Sequence, residues 1–476
     1  MFLINSRSKV FRQTNIRREY QFTLLLPLYA IVTIIIAYRI LFALSWHKSM
    51  IGISLPIVTL LVCIVCFLGY SRYLYALYVL FIPMLAGFDR YRGTVLYEFP
   101  GYIVRLGITQ SLLLIVTVTV ILHYIHVKPK KYGGFDFLHI SVILFFGIVT
   151  TSLFYRQADW LAFRLFFSSI PYYLMAYLSA RYSMNSLDQI DLIFKAMVVC
   201  LASVVISRYM YQGFVIAQDQ YRVSVNYIFL SAVYYTQVLV QILPFALFFI
   251  HISKKKSRLI FIICFLLILS ELLLSQTRGA YLACFLSLTY YYMKTAAKIN
   301  LRNKIVLITA GILFLILFGI MLQYRISSYG KDVFSEADYY RIEHLSIYFD
   351  AFMSNFLLGL GFGAESIRVM GHSAAHNTFL SVAVDTGFIG LLSFVCIYIF
   401  CFIYAKRVRF FYQSSRYIVF FIRACEASLI GQIFHAITTG NSFLYTIPMQ
   451  IIFFLFTTFA AISCMKKNKL FSQQSY

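Results

Sequence analysis

The sequence predicts an all-α fold: a polytopic transmembrane helical bundle of about twelve to fourteen helices with one long extracytoplasmic loop subdomain. Three observations carry that expectation. The 476 residues are 61% hydrophobic and 12% charged, whereas soluble chains run about 45–50% apolar and about a quarter charged. Apolar stretches of membrane-spanning length recur along the chain, separated by short polar breaks. The 41 Lys and Arg, against 17 Asp and Glu, concentrate in breaks that fall on one side of the predicted bundle. Together these exclude a soluble enzyme and a disordered chain.

Residues 1–21 carry basic residues and no long apolar core, which reads as a cytoplasmic segment rather than a cleavable leader. Helices are expected at 22–45, 50–69, 72–88, 103–126, 137–155, 160–180, 189–211, 227–251, 258–274, 279–294, 304–323, 378–404, 415–437 and 441–464. Two of them, 72–88 and 279–294, are near the short limit for a crossing. This divides the chain into transmembrane helices over 22–323, an extracytoplasmic loop over 324–377, C-terminal transmembrane helices over 378–464 and a cytoplasmic tail over 465–476.

The positive-inside rule orients the bundle. With the N-terminus inside, the inner loops hold Lys128, Lys130 and Lys131, then Lys254, Lys255, Lys256 and Arg258, then Lys294, Lys298, Arg302 and Lys304, then Lys406, Arg407 and Arg409. Lys466, Lys467 and Lys469 add the tail. The net charge of +24 therefore faces an anionic inner leaflet and implies no nucleic acid.

The loop over 324–377 is too long for a structureless connection, and it holds more acids than bases. Apolar pieces such as Ile347-Tyr348-Phe349 and Phe356-Leu357-Leu358 predict a folded subdomain with helices near 336–354 and 363–371. Gly359, Gly361 and Gly363 form a GxGxG string without the βαβ unit a dinucleotide site needs, so a flexible turn is expected. All nine cysteines lie in or beside predicted spans, which implies no disulfide framework. His372 and His376 lack a clear third ligand; no P-loop is present, and no metal or cofactor is expected.

Three features on the outer side could carry chemistry. Arg278 lies in Ser275-Gln276-Thr277-Arg278-Gly279-Ala280 at the junction of two helices; it is either a topology residue in a tight turn or a clamp for phosphate oxygens. Arg341, in Ala337-Asp338-Tyr339-Tyr340-Arg341, either pairs with Asp338 or Glu343 or reaches the same anion. His376 precedes Asn377, which either caps the next helix or binds a sugar hydroxyl; histidine is the usual general base near neutral pH. Arg156, Arg222 and Tyr340 are further candidates for substrate contact, Tyr340 by stacking on a sugar face. Arg164, Glu271, Asp385 and Glu426 are ionisable groups inside spans, explained by function or by helix pairing.

The run Ser275 to Ala280, then Arg341, then Gly359-Leu360-Gly361-Phe362-Gly363, then His376-Asn377-Thr378-Phe379-Leu380 and Gly387-Phe388-Ile389-Gly390-Leu391, resembles the O-antigen ligase and polymerase superfamily. The resemblance covers mainly residues 230–405; the first 220 share only hydropathy. It implies a bacterial inner-membrane glycosyltransferase that takes a glycan from undecaprenyl diphosphate. The implied acceptor is a hydroxyl of lipid A core, of another glycan repeat or of a related substrate. By that resemblance Arg278 and Arg341 hold the diphosphate and His376 is the catalytic base, with inversion at the anomeric carbon and no metal. The main alternative is a lipid-linked glycan flippase, which would more commonly show repeated halves and a midplane site; no internal repeat is apparent.

Overall fold

The computed structural model describes residues 97–98, 105–106, 137–154, 187–212, 232–275, 277–295, 332–363 and 377–438, with isolated helical positions within 162–177 and 316–323. The helices expected at 22–45, 50–69, 72–88 and 441–464 lie outside these residues, as does most of those at 160–180 and 304–323. Within them the fold is all-α and polytopic, as expected. Eight helices are defined: α1 (Phe137–Ser152), α2 (Leu187–Gln212), α3 (Ala232–Ile252), α4 (Lys255–Leu274), α5 (Arg278–Thr295), α6 (Asp332–Ser354), α7 (Thr378–Phe411) and α8 (Arg416–Thr438). Among the described residues, four helices are long and apolar enough to cross a membrane: those within α3, α4, α7 and α8. A two-residue antiparallel ladder pairs Tyr97–Glu98 with Arg105–Leu106, where the helix at 103–126 was expected to start.

Helix α3 is buried on every side and sits at the centre of the bundle. Val238, Leu239, Val240, Leu243, Phe245 and Phe248 are each essentially inaccessible. Around it pack α2, α4, α5 and α8. Aromatic rings seal the α2–α3–α8 junction: Phe194 lies 4.3 Å from Phe245 and 5.1 Å from Phe421. In a bilayer, helix contact is driven by close packing and interhelical hydrogen bonds, not by exclusion of water, and small residues promote it. Helix α8 shows this. A Cβ on Gly431 would lie 2.7 Å from Val240 Cγ1 and 3.0 Å from Ser287 Cβ. Ser287 donates its hydroxyl to Ala427 O (2.7 Å), and Ser428 donates to Gln241 O (2.7 Å).

Helix α7 is not one straight span. Gly387 has φ 68° and ψ −169° inside it. The Phe379 ring lies 5.6 Å from Phe394 and 5.9 Å from Tyr398. On a straight helix, residues 379 and 398 would stand about 28 Å apart at 1.5 Å per residue. The chain therefore reverses at Gly387, and residues 378–386 fold back along residues 388–411. The latter stretch alone is roughly 36 Å long, enough to span. The expected single span at 378–404 is thus a helical hairpin, and its descending arm runs on to Phe411.

The reversal is clasped by the GxGxG turn, which is well defined rather than flexible. Helix α6 starts at Asp332, earlier than the expected 336, and leads into this turn. Leu360 N–H donates to Val384 O (2.7 Å) and Gly361 N–H to Asp385 O (3.0 Å). From the other arm, Phe388 N–H donates to Phe356 O (2.7 Å). The buried Asp385 carboxylate accepts from Gly363 N–H at 3.1 Å. The turn also touches α1, with Phe362 N–H donating to Ser152 O at 3.4 Å. Gly359 (φ 72°) is required by space as well as by φ: a Cβ there would lie 2.5 Å from Gly387 N. Apolar packing backs the clasp, with Tyr348 and Phe352 of α6 buried against Ala383 and Val384. The helix expected at 363–371 lies outside the described residues beyond Gly363.

Gly387→Ala places a Cβ into Leu357 O at a left-handed backbone position. It is expected to cost at least about 2 kcal/mol, read as a lower thermal unfolding midpoint in detergent. Gly147→Ala on α1, where nothing lies within 4 Å, should not lower the midpoint.

Candidate functional site

The candidate site lies at the end of the bundle where α5 begins and α8 finishes. Antiparallel pairing fixes this level. Thr236, near the start of α3, meets His435 of α8 (Oγ1 to Nε2, 3.2 Å), and one turn or so further in Gln241 donates to Gln432 Oε1 at 2.5 Å. Ser287 and Tyr290 of α5 meet Ala427 and Glu426 of α8, so Arg278, at the head of α5, stands level with the last turn of α8.

A tight corner holds Arg278. Ser275 caps α4 and turns its hydroxyl onto Leu272 O (2.6 Å); Thr277 hydroxyl donates to Ser275 O (3.2 Å). Thr277 O then accepts the first N–H groups of α5, from Ala280 (3.0 Å) and Tyr281 (3.1 Å). The buried Tyr281 hydroxyl donates across the corner to Leu273 O, locking the end of α4 to the start of α5. Arg278 itself is half-buried, and placed where guanidinium and a helix N-terminus both favour an anion.

The folded-back arm of α7 brings a second helix start to this region. Asn377 is its N-cap, with φ −145° and ψ 110°; its Oδ1 accepts from Phe379 N–H (3.0 Å) and Leu380 N–H (3.1 Å). Of the two roles read for Asn377, the cap is the one its side-chain oxygen performs. Phe379 packs on Phe394 and Tyr398, and Tyr398 lies beside Gln432. The start of the arm therefore lies at the depth of the polar seam that runs from Thr236 and His435 to Gln241 and Gln432.

Arg341 and Tyr340 lie on α6, the helix that packs on the folded-back arm; the structure describes their backbone only. His376, Arg156, Arg222 and Arg164 lie outside the described residues. Asp385 and Glu426, read as either functional or pairing, both make defined contacts. Asp385 belongs to the clasp, and Glu426 to an ion pair with Arg409. Glu271 is fully buried near the end of α4. The seam of Thr236, Gln241, Gln432 and His435 was not singled out in the sequence. Its signal was there, since three amides or imidazoles inside apolar helices are expensive unless they pair.

An all-helical membrane protein emerges, with an arginine corner and a capped, folded-back helix start at one end. The sequence profile described as O-antigen ligase matches residues 262–395. That stretch spans most of α4, all of α5 and α6, the clasp, the folded-back arm and the first two turns of the arm that follows Gly387. Over it the chain is similar to the O-antigen ligases, and the resemblance to the O-antigen ligase and polymerase superfamily is borne out there. No curated protein matches the chain.

Asn377→Ala should cost about 1 kcal/mol through loss of the cap, seen as a lower thermal midpoint. Asn377→Ser, which keeps a capping oxygen, should stay close to the parent.

Proposed function

We propose that the chain is a membrane glycosyltransferase that transfers or polymerises a glycan from an undecaprenyl-diphosphate donor onto an acceptor hydroxyl. The reaction is placed at the extracytoplasmic face of the bacterial inner membrane, with both termini cytoplasmic. The observation that carries this reading is that the stretch similar to O-antigen ligases holds both the Arg278 corner and the Asn377-capped start of the folded-back arm. A lipid diphosphate must keep its tail in the bilayer and its charge at the headgroup level. A guanidinium at a helix start and a neighbouring helix N-terminus are suited to that charge.

In this reading the acceptor oxygen attacks the anomeric carbon while the bond from that carbon to the diphosphate oxygen breaks. His376, next to the cap in sequence, takes the acceptor proton. Arg278 and Arg341 hold the diphosphate as negative charge grows on it. Attack opposite the leaving group inverts the anomeric centre. The diphosphate is already an activated leaving group, so the step is drawn with neither metal nor nucleotide. Asn377 acts by fixing the arm behind His376, and Tyr340, Arg156 and Arg222 are assigned to acceptor or glycan contact. Lipid A core, a second lipid-linked repeat or another glycan hydroxyl all satisfy the chemistry as acceptor.

The test is transfer by purified protein from lipid-linked donor to acceptor. Arg278→Ala, Arg341→Ala and His376→Ala should each reduce product at least a hundredfold while the protein still accumulates in the membrane. Wild-type transfer by His376→Ala would remove the base assignment. Movement of donor across vesicles without glycosidic product would replace the enzyme with a flippase.

A further inference from the structure

At the other end of the bundle, two guanidiniums meet one carboxylate with an ammonium close by. Arg409, near the end of α7, places Nη2 2.8 Å from Glu426 Oε1, and Arg423, one turn back on α8, places Nη1 3.6 Å from Oε2. The Tyr290 hydroxyl of α5 donates to Oε2 at 2.9 Å. Lys294 lies over the same Tyr290 ring, its Nζ 5.9 Å from the centroid. Glu426 is the acid at the centre, with a side chain only 2% exposed, whereas Arg409 and Arg423 keep 21% and 19% of their side chains accessible.

The charge does not close. Among the described residues, two guanidiniums and an ammonium against one carboxylate leave a surplus of two positive charges. Among the described residues, the buried Nε atoms of Arg409 and Arg423 have no acceptor. Two guanidiniums from separate helices, each with part of its side chain accessible, suit a phosphate oxygen group. The surroundings add to the field without competing for it. Lys406 and Arg407 are exposed on the last turns of α7, and Arg407 and Arg416 lie on the rings of Tyr404 and Phe420, 5.6 and 5.1 Å from their centroids.

We propose that Arg409, Arg423 and Lys294 form an interhelical site for the phosphate of an anionic lipid headgroup, with Glu426 setting the spacing of the two guanidiniums. The occupant is a membrane lipid and not free phosphate because Arg409 and Lys294 stand in the last turns of α7 and α5, with Arg423 two turns into α8, at an end of the bundle where phosphodiester headgroups are held. Juxtamembrane cations of this kind attract anionic headgroups, each adding to the binding. The site is separate from the Arg278 corner and does not depend on the transfer reaction proposed above.

Binding of fluorescent phosphatidylglycerol to the detergent-purified full chain tests this. Saturable binding is expected, displaced by unlabelled phosphatidylglycerol and by neither phosphatidylcholine nor inorganic phosphate at the same concentration. Arg409→Gln, Arg423→Gln and Lys294→Gln should each weaken it about fivefold. Glu426→Gln should tighten it about fivefold, the reverse of what a purely structural ion pair predicts. Lys255→Gln, on the exposed rim, should change it less than twofold. Lys294→Gln leaves the ion pair intact, so it reads the site even where an arginine variant fails to fold. Equal binding by Lys294→Gln and the parent would overturn the site, as would displacement by inorganic phosphate or loss of binding in a folded Glu426→Gln protein.

Discussion

The architecture depends on one constraint: backbone N–H and C=O groups freed by a broken helix must find partners inside the protein when no water is present to take them. At Gly387, α7 gives up its continuous ladder. Val384 O and Asp385 O lose their helical donors, and Phe388 N–H loses its acceptor. The turn from Phe356 to Gly361 answers each of them with its own backbone. Only glycine at 359 and 387 lets the two backbones come that close. A loop that hydropathy assigns to solvent is in this way a structural part of the bundle. The folded-back arm, with Asn377 at its tip, exists because that loop docks.

The two ends of the bundle treat charge differently. At the Arg278 end, polar groups are mostly neutral and paired across helices, through Thr236 with His435 and Gln241 with Gln432. A neutral hydrogen-bonded seam holds α3 against α8 without adding a fixed charge there. At the Arg409 end the pairing is ionic and leaves positive charge in excess. Small residues do the close packing between the ends, Gly431 and Ser287 above all, so α8 can sit against α3 and α5 together.

Much of this was legible from sequence because apolar length and basic parity report directly on membrane crossing. The predicted 189–211, 258–274, 279–294 and 415–437 match α2, α4, α5 and α8 to within a few residues. Where boundaries differ, the reason is charge. Lys255 and Lys256 were read as loop, yet they open α4, and Lys406, Arg407 and Arg409 continue α7 to Phe411. Hydropathy detects the apolar interior of a helix, while long basic side chains let the helix itself run on toward the headgroups. The hairpin at Gly387 was hidden for another reason. Its two arms are both apolar and contiguous, so they add up to one span, and only the backbone at a single glycine divides them. Of the candidate site, Arg278 and the capping power of Asn377 were readable from local pattern. Tyr281 was not, because its latch to Leu273 O depends on how the corner folds.

The clasp also bears on how the chain assembles. Its two halves, residues 356–363 and 384–389, lie fewer than thirty positions apart and leave the ribosome in that order. Closing so short a loop costs little entropy compared with uniting distant helices. The reversal can therefore form as an early local unit. Helix α8 would then meet a hairpin already shaped to receive it, and the interhelical ion pair from Arg409 to Glu426 would close last.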